Sequence, residues 1–214
     1  MDVVLDNIDV YWEGMQVTAW LTVLSYAAAF VIGVAVAAFR VSPVPPLRLA
    51  GTAFVEVFRN IPLPVLIVVF FFGFPKIGII YSPFISAVIV LAVYTGAFLG
   101  ETIRAGINTV AKGQAEAARA LGLTFPKTLR IIVLPQALRS VVQPMGNIFS
   151  ALIRNSAIAY GISVVELTGA TDRLNTDTAQ PIPIFIGGAI AYLLLTLPTG
   201  YAIGVIERRV AFKR

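Results

Sequence analysis

Arg154-Asn155-Ser156 interrupts an apolar run, with Leu152-Ile153 before it and AIAYGI after it. A guanidinium at membrane depth faces the interior of a helix bundle or a water-filled space, because lipid does not solvate it. Its planar fork grips a carboxylate through two parallel hydrogen bonds. Two readings of Arg154 stand: a contact for a carboxylate-bearing solute, or a buried ion pair, with Glu101 as the candidate partner. Two other pairs share one spacing. Glu56 and Arg59 are three residues apart, as are Glu101 and Arg104, so each pair lies on one helical face. Tyr94, Thr95, Gly96 and Phe98 precede the second pair and bring polar and small groups into the same segment. Each pair reads either as the wall of a solute path or as charges resting at the membrane interface, with small residues serving helix packing. Asn60-Ile61-Pro62-Leu63-Pro64 follows the first pair. Pro62 and Pro64 remove two backbone donors and predict a kink or break in the helix. Carbonyls freed there must face protein or a cavity; a purely structural kink is the alternative. The chain has no His and no Cys, which removes the commonest general base, the thiol nucleophile and the usual metal ligands. No catalytic residue and no metal site is expected.

These residues need helices to hold them. The chain of 214 residues is 58% hydrophobic and only 13% charged, with a mean hydropathy of +0.87. A soluble domain carries about 25% charged residues, so the composition points to a membrane protein. Apolar runs long enough to span a bilayer fall at approximately 18–38, 47–74, 83–102, 137–165 and 182–205. The expected fold is an all-α membrane protein with five transmembrane helices, forming one membrane domain over 1–214 without an internal repeat or soluble appendage. The N-terminal segment carries Asp2, Asp6, Asp9 and Glu13, the wrong sign for a cleavable signal peptide, so the first run is expected to stay as an anchor.

The net charge of +5 is better explained by orientation in a bilayer than by a nucleic-acid partner, and none is expected. If the C-terminus is cytoplasmic, the inner segments 39–49, 103–139 and 207–214 hold 12 of the 16 basic residues, and the outer segments 1–17, 75–82 and 166–181 hold only Lys76 and Arg173. The outer segments also collect Glu166, Asp172 and Asp177 besides the N-terminal acids. This asymmetry sets the N-terminus outside and the C-terminus in the cytoplasm. The longest cytoplasmic loop then lies between the third and fourth spans.

Residues 113–135 of that loop read GQAEAARALGLTFPKTLRIIVLP. Gln114–Leu121 consists of strong helix formers, and Gly122 follows as a C-terminal cap. Thr124 can cap a second helix with Pro126 in its first turn, running to about Val133 before Pro135 stops it. Ala115, Ala118, Leu121 and Gly122 recur at helical spacing as a small, smooth face that another protein could approach, with Glu116 and Arg119 beside it. The plainer alternative is a solvated loop packed on its own bundle, although a loop of this length usually serves a function.

Glu116-Ala117-Ala118, then Gly122 after three residues, then Ile132-x-Leu134-Pro135 after nine, resembles the EAA loop of ABC-importer permeases at every fixed position. VFRNIPLPV, FFFGFP, ETIRAGINTVAKGQAEAARALGL, LPQALRSVVQPMGN and RNSAIAYGISVVELTG extend the resemblance to the polar amino-acid permeases of type I importers over roughly residues 18–208. The resemblance implies a second permease subunit, identical or related, and two cytoplasmic ATPases docked on the paired loops. It also implies an external amino-acid-binding protein and a location in the plasma or inner membrane of a prokaryote. The ATPase-docking residues it assigns are Glu116, Ala117, Ala118, Arg119, Gly122 and Leu123, with the loop acting as a coupling helix. The substrate path is assigned to Arg154, Asn155, Ser156, Glu101, Tyr94, Thr95 and Phe98. No cofactor is expected on this chain, ATP and magnesium belonging to the ATPase, and no G-x-x-x-x-G-K-[ST] occurs in it.

The chain departs from the family's usual residues at Pro64, Leu66, Tyr94 and Arg154-Asn155-Ser156-Ala157. Asn155 stands where an acid is common, and a cation remains at Arg154, so an acidic or neutral polar amino acid is expected, glutamate first. Two rival readings stand beside an ATP-driven importer. A secondary transporter or channel wants more spans or inverted repeats; the other rival is a membrane scaffold or enzyme, of which the enzyme version is weakened by the missing His and Cys.

Overall fold

The computed structural model describes residues 2–210, so Lys213 and Arg214 of the basic C-terminal segment lie outside the described residues. The described chain is helical: α1 (Asp2–Leu5), α2 (Ile8–Val41), α3 (Pro45–Asn60), α4 (Leu63–Val68), α5 (Pro83–Asn108), α6 (Lys112–Ala120), α7 (Phe125–Thr128), α8 (Leu134–Asn155), α9 (Leu167–Thr178) and α10 (Pro181–Val210). Wider π turns at Val69–Gly73 and Leu129–Val133, and tighter 3₁₀ segments at Phe74–Ile77 and Ser156–Ile162, complete the path. Three helices are long and apolar enough to cross a membrane, or up to five if each of two bent pairs is one span.

Large apolar side chains lie on the outside of the bundle as well as in its core. On α2 most inward residues are small or polar: Thr18, Thr22, Ser25, Ala29 and Gly33 are buried beside Tyr11, Leu21 and Val36, while Trp20 and Val31 are 64% and 69% exposed. Large apolar side chains cover the outside because hydrocarbon solvates them, and small residues inside let the backbones close up. The α2–α5 contact shows this directly. A Cβ at Gly33 would lie 2.7 Å from Leu99, one at Gly96 would lie 2.7 Å from Ile32, and one at Gly100 would lie 2.8 Å from Val36.

The second expected span is two half-helices. α3 and the segment Leu63–Ile77 meet at 102°. Ile61, restricted by the proline after it, is extended at φ −86°, ψ 130°. Pro62 caps the new helix and Pro64 sits in its first turn, where the missing N–H costs nothing. The expected break is present, and it is sharper than a kink.

The fourth span and the segment after it differ from expectation. Pro135 does not stop a helix. The chain runs as one helix over Pro126–Ile162, because the π turn at Leu129–Val133 lengthens the hydrogen-bond register just before the proline, with the Leu134 N–H donating to the Leu129 carbonyl. A wider turn makes room for a ring that clashes in α-helical register. Residues 166–181, expected as an outer connection, contain α9, inclined at 53° to the preceding helix.

Candidate functional site

The helix break creates a cavity of about 540 Å³ lined by Pro62, Leu63, Pro64, Tyr94, Arg154, Asn155, Ala157 and Ile158. Two independent sequence signals, the proline pair and the mid-span arginine, therefore meet in one place. α8 ends at Asn155 and tightens into the 3₁₀ turn at Ser156–Ile162, which carries Arg154 and Asn155 to the mouth opposite the α3–α4 break. Arg154 is exposed to this space and makes no hydrogen bond or ion pair among the described residues. It does not pair with Glu101.

Glu101 instead takes two other cations. Its Oε2 accepts from Arg40 and, at 3.2 Å, from Arg104 Nε. This closed triad ties α2 to α5, and Arg40 was visible in the sequence only as one of the loop charges. Thr95 is buried at 3% exposure and does not line the cavity. Ser156 is fully buried and donates to the Ile153 carbonyl at 2.7 Å. Tyr94 reaches the cavity and packs on Phe98, with ring centroids 5.1 Å apart. Phe98 lines a second cavity of about 210 Å³ with Glu56, Arg59 and Asn60. Of the seven path residues, Tyr94, Arg154 and Asn155 are brought together and Phe98 adjoins them. Thr95 and Ser156 lie behind the wall, and Glu101 is committed elsewhere.

The cytoplasmic-loop candidate forms a compact two-piece unit. α6 closes with Gly122 in the left-handed region at φ +78°. There the Gly122 N–H donates to the Arg119 carbonyl at 2.9 Å and the Leu123 N–H to the Ala118 carbonyl at 3.0 Å. This paired arrangement favours glycine, since a Cβ is strained at that φ. Glu116, Ala117, Arg119 and Gly122 are exposed and Leu123 is half-buried. Ala118 is not available to a partner, being only 1% exposed. It is the inward residue of an amphipathic helix, so the face of alanines expected to receive a partner turns partly toward its own chain. Leu121, 83% exposed, stands at the tip instead. Gln136 Nε2 donates to Gln114 Oε1 at 2.8 Å, fastening α6 to the start of α8.

One acid escaped sequence reasoning. Glu166, counted among the outer charges, is fully buried. Its Oε2 accepts from the Tyr192 hydroxyl at 2.7 Å and from Thr18 Oγ1 at 3.4 Å. Its Oε1 accepts from the Gly169 N–H at 3.0 Å, capping α9. The Leu167 N–H closes the knot on Thr18 Oγ1 at 3.0 Å. One carboxylate thus joins α2, α9 and α10. The only local signal is E-L-T-G at a helix start, an N-cap pattern; its partners are far away in sequence.

Residues 29–212 match the family described as binding-protein-dependent transport system inner membrane component. The chain is 39% identical over 210 residues to a probable glutamine ABC transporter permease protein, GlnM, of Bacillus subtilis, covering 98% of this chain and 97% of that one. It is 37% identical over 213 residues to the glutamate transport system permease protein GluC of Corynebacterium glutamicum, with 92% of each covered. Among solved structures, an amino acid ABC transporter with histidines superposes with a TM-score of 0.91 at 30% identity, over 96% of each chain. The MetNI methionine ABC transporter, at 23% identity and a TM-score of 0.81, shares the fold.

Proposed function

The chain belongs to the binding-protein-dependent transport system inner membrane component family, and from that premise we infer that it passes a polar amino acid, glutamate first, through the cavity at the α3–α4 break. It is a multi-pass membrane protein of the bacterial inner-membrane type and the permease subunit of an ABC importer for amino acids. The observation that carries the finer reading is Arg154, an unpaired cation facing a cavity bounded by a broken helix. A guanidinium held open in this way can receive the carboxylate of an amino acid through two parallel hydrogen bonds. The relatives named for glutamine and glutamate agree with a small polar solute.

In this reading five spans place the N-terminus outside and the C-terminus in the cytoplasm. A second permease subunit completes the pathway, an external binding protein delivers the solute, and two ATPases supply ATP and magnesium. The ATPases dock on the loop 113–135 through Glu116, Ala117, Arg119, Gly122 and the exposed Leu121, with Leu123 beside them and Ala118 serving as the internal anchor. The capped turn at Gly122 and the Gln114–Gln136 bond make the loop stiff enough to pass a push into α8, whose last turn carries Arg154. The docking helix α6 would thus act, through the Gly122 turn, on the continuous helix over Pro126–Ile162 that carries Arg154.

Two experiments test this. Uptake by the reconstituted complex should favour glutamate or a neutral polar amino acid; preference for arginine or lysine contradicts the cavity's assignment. Glu116→Arg should abolish copurification of the ATPase; an ATPase that stays bound and coupled contradicts the docking role.

A further inference from the structure

The second cavity, about 210 Å³ between Glu56, Arg59, Asn60 and Phe98, is lined by neighbours in sequence of residues that line the first. Tyr94 lines one and Phe98 the other, and with Glu101 they fall at i, i+4 and i+7 on a single face of α5. On the opposite wall, Asn60 lines the second cavity and Pro62 the first, two residues apart across the break. Arg59 makes no hydrogen bond or ion pair among the described residues. Its guanidinium carbon sits 5.1 Å from the centre of the Phe98 ring, a contact that positions a cation without neutralising it. Glu56, three residues earlier, does not pair with Arg59. It is held by Asn60 Nδ2, which donates to the Glu56 carbonyl at 2.7 Å and to its Oε2 at 3.3 Å, leaving Glu56 Oε1 free of any such bond. A cation and an anion held apart in one cavity, each steadied by a neutral neighbour, match the two charges of a zwitterion.

We propose that Glu56 and Arg59 form a second station for the α-amino acid, Arg59 receiving the carboxylate and Glu56 the ammonium, reached after Arg154 on the way to the end of α5 where Glu101 is clamped. The proposal rests on the Arg154 cavity being the solute path. It adds that recognition at the second station depends on the groups common to all amino acids. Beyond the station the Glu101 carboxylate is already taken up by Arg40 and Arg104, so it does not compete for the solute's ammonium.

The test uses the reconstituted permease–ATPase complex with its binding protein. Arg59→Gln and Glu56→Gln should each lower the maximal uptake rate about 10–100-fold, the span expected for losing one charge-assisted hydrogen bond. The solute concentration giving half-maximal uptake should not change, since the external protein sets it. ATP hydrolysis stimulated by the loaded binding protein should continue, and Arg59→Lys should restore most of the uptake. Should Arg59→Gln fail to assemble, Arg59→Met, which keeps an unbranched apolar stem without the charge, supplies the same contrast with Arg59→Lys. Unchanged uptake in the Gln variants overturns the proposal, as does a joint loss of uptake and hydrolysis that Lys does not repair. If Arg154→Ala also leaves uptake unchanged, the underlying solute path is wrong; if Arg154→Ala impairs uptake and the Arg59 variants do not, only the second station is lost.

Discussion

Arg154 and Glu166 are both ionisable residues set among apolar helices, and the fold treats them in opposite ways. Glu166 is fully buried and accepts hydrogen bonds from Tyr192, Thr18 and the Gly169 backbone. Arg154 is exposed, lines a cavity of about 540 Å³ and has no such partner among the described residues. A buried charge with every acceptor satisfied rigidifies a fold. A charge left open at membrane depth keeps its binding capacity for something that is not part of the chain. The contrast separates a structural knot at one end of the bundle from the surface near the helix break that we propose as the solute path. The Arg40–Glu101–Arg104 triad belongs with the knot.

The contrast can be broken in several ways. The largest stability loss should come from Glu166→Ala, which removes the acceptor that Tyr192 and Thr18 share and uncaps α9. About 3–5 kcal/mol is expected for removing one member of a buried charged network, read as a large fall in the thermal melting point of the purified complex. An unchanged melting point would mean that the knot is not structural. Glu101→Ala comes next, because it leaves Arg40 and Arg104 facing each other at the α2–α5 seam. A loss of about 1–3 kcal/mol is expected, and Glu101→Gln should recover part of it. Glu166→Gln should cost less than its Ala counterpart, about 1–3 kcal/mol, since the amide fills the same space and keeps one acceptor oxygen, while its NH2 faces the remaining donors. Arg154→Ala should shift the melting point least, within about 0.5 kcal/mol, as for a surface substitution away from any network. A stability loss at Arg154 equal to that at Glu166 would erase the distinction.

What the sequence made legible follows from locality. The α3–α4 break could be read because proline acts on its own backbone and that of its immediate neighbours, and Ile61, Pro62 and Pro64 sit together. The capped turn at Gly122 was readable for the same reason. Pro135 misled because its effect depends on the register of the turn before it, and nothing in LRIIV announces a π turn. α9 was hidden because LTGATDRLNTDT has the polarity of a connection, and only its packing on α2 and α10 makes it a helix with a buried face. Glu166 was unreadable as a knot because Thr18 lies 148 residues away. Arg40, paired with Glu101 across 61 residues, was missed for the same reason. In the site itself the residue types could be read, but which of them share a cavity could not. Thr95 and Ser156 point into packing one or two positions from residues that face the space, a difference set by helix rotation.

The central claim is that Arg154 is open because a solute carboxylate uses it. The direct measurement is glutamate uptake by the reconstituted complex carrying Arg154→Ala, with ATPase association and melting point recorded on the same preparation. The account predicts uptake lowered about 10–100-fold, the equivalent of one charge-assisted contact, with association and melting point unchanged. Wild-type uptake kinetics in that variant would contradict it.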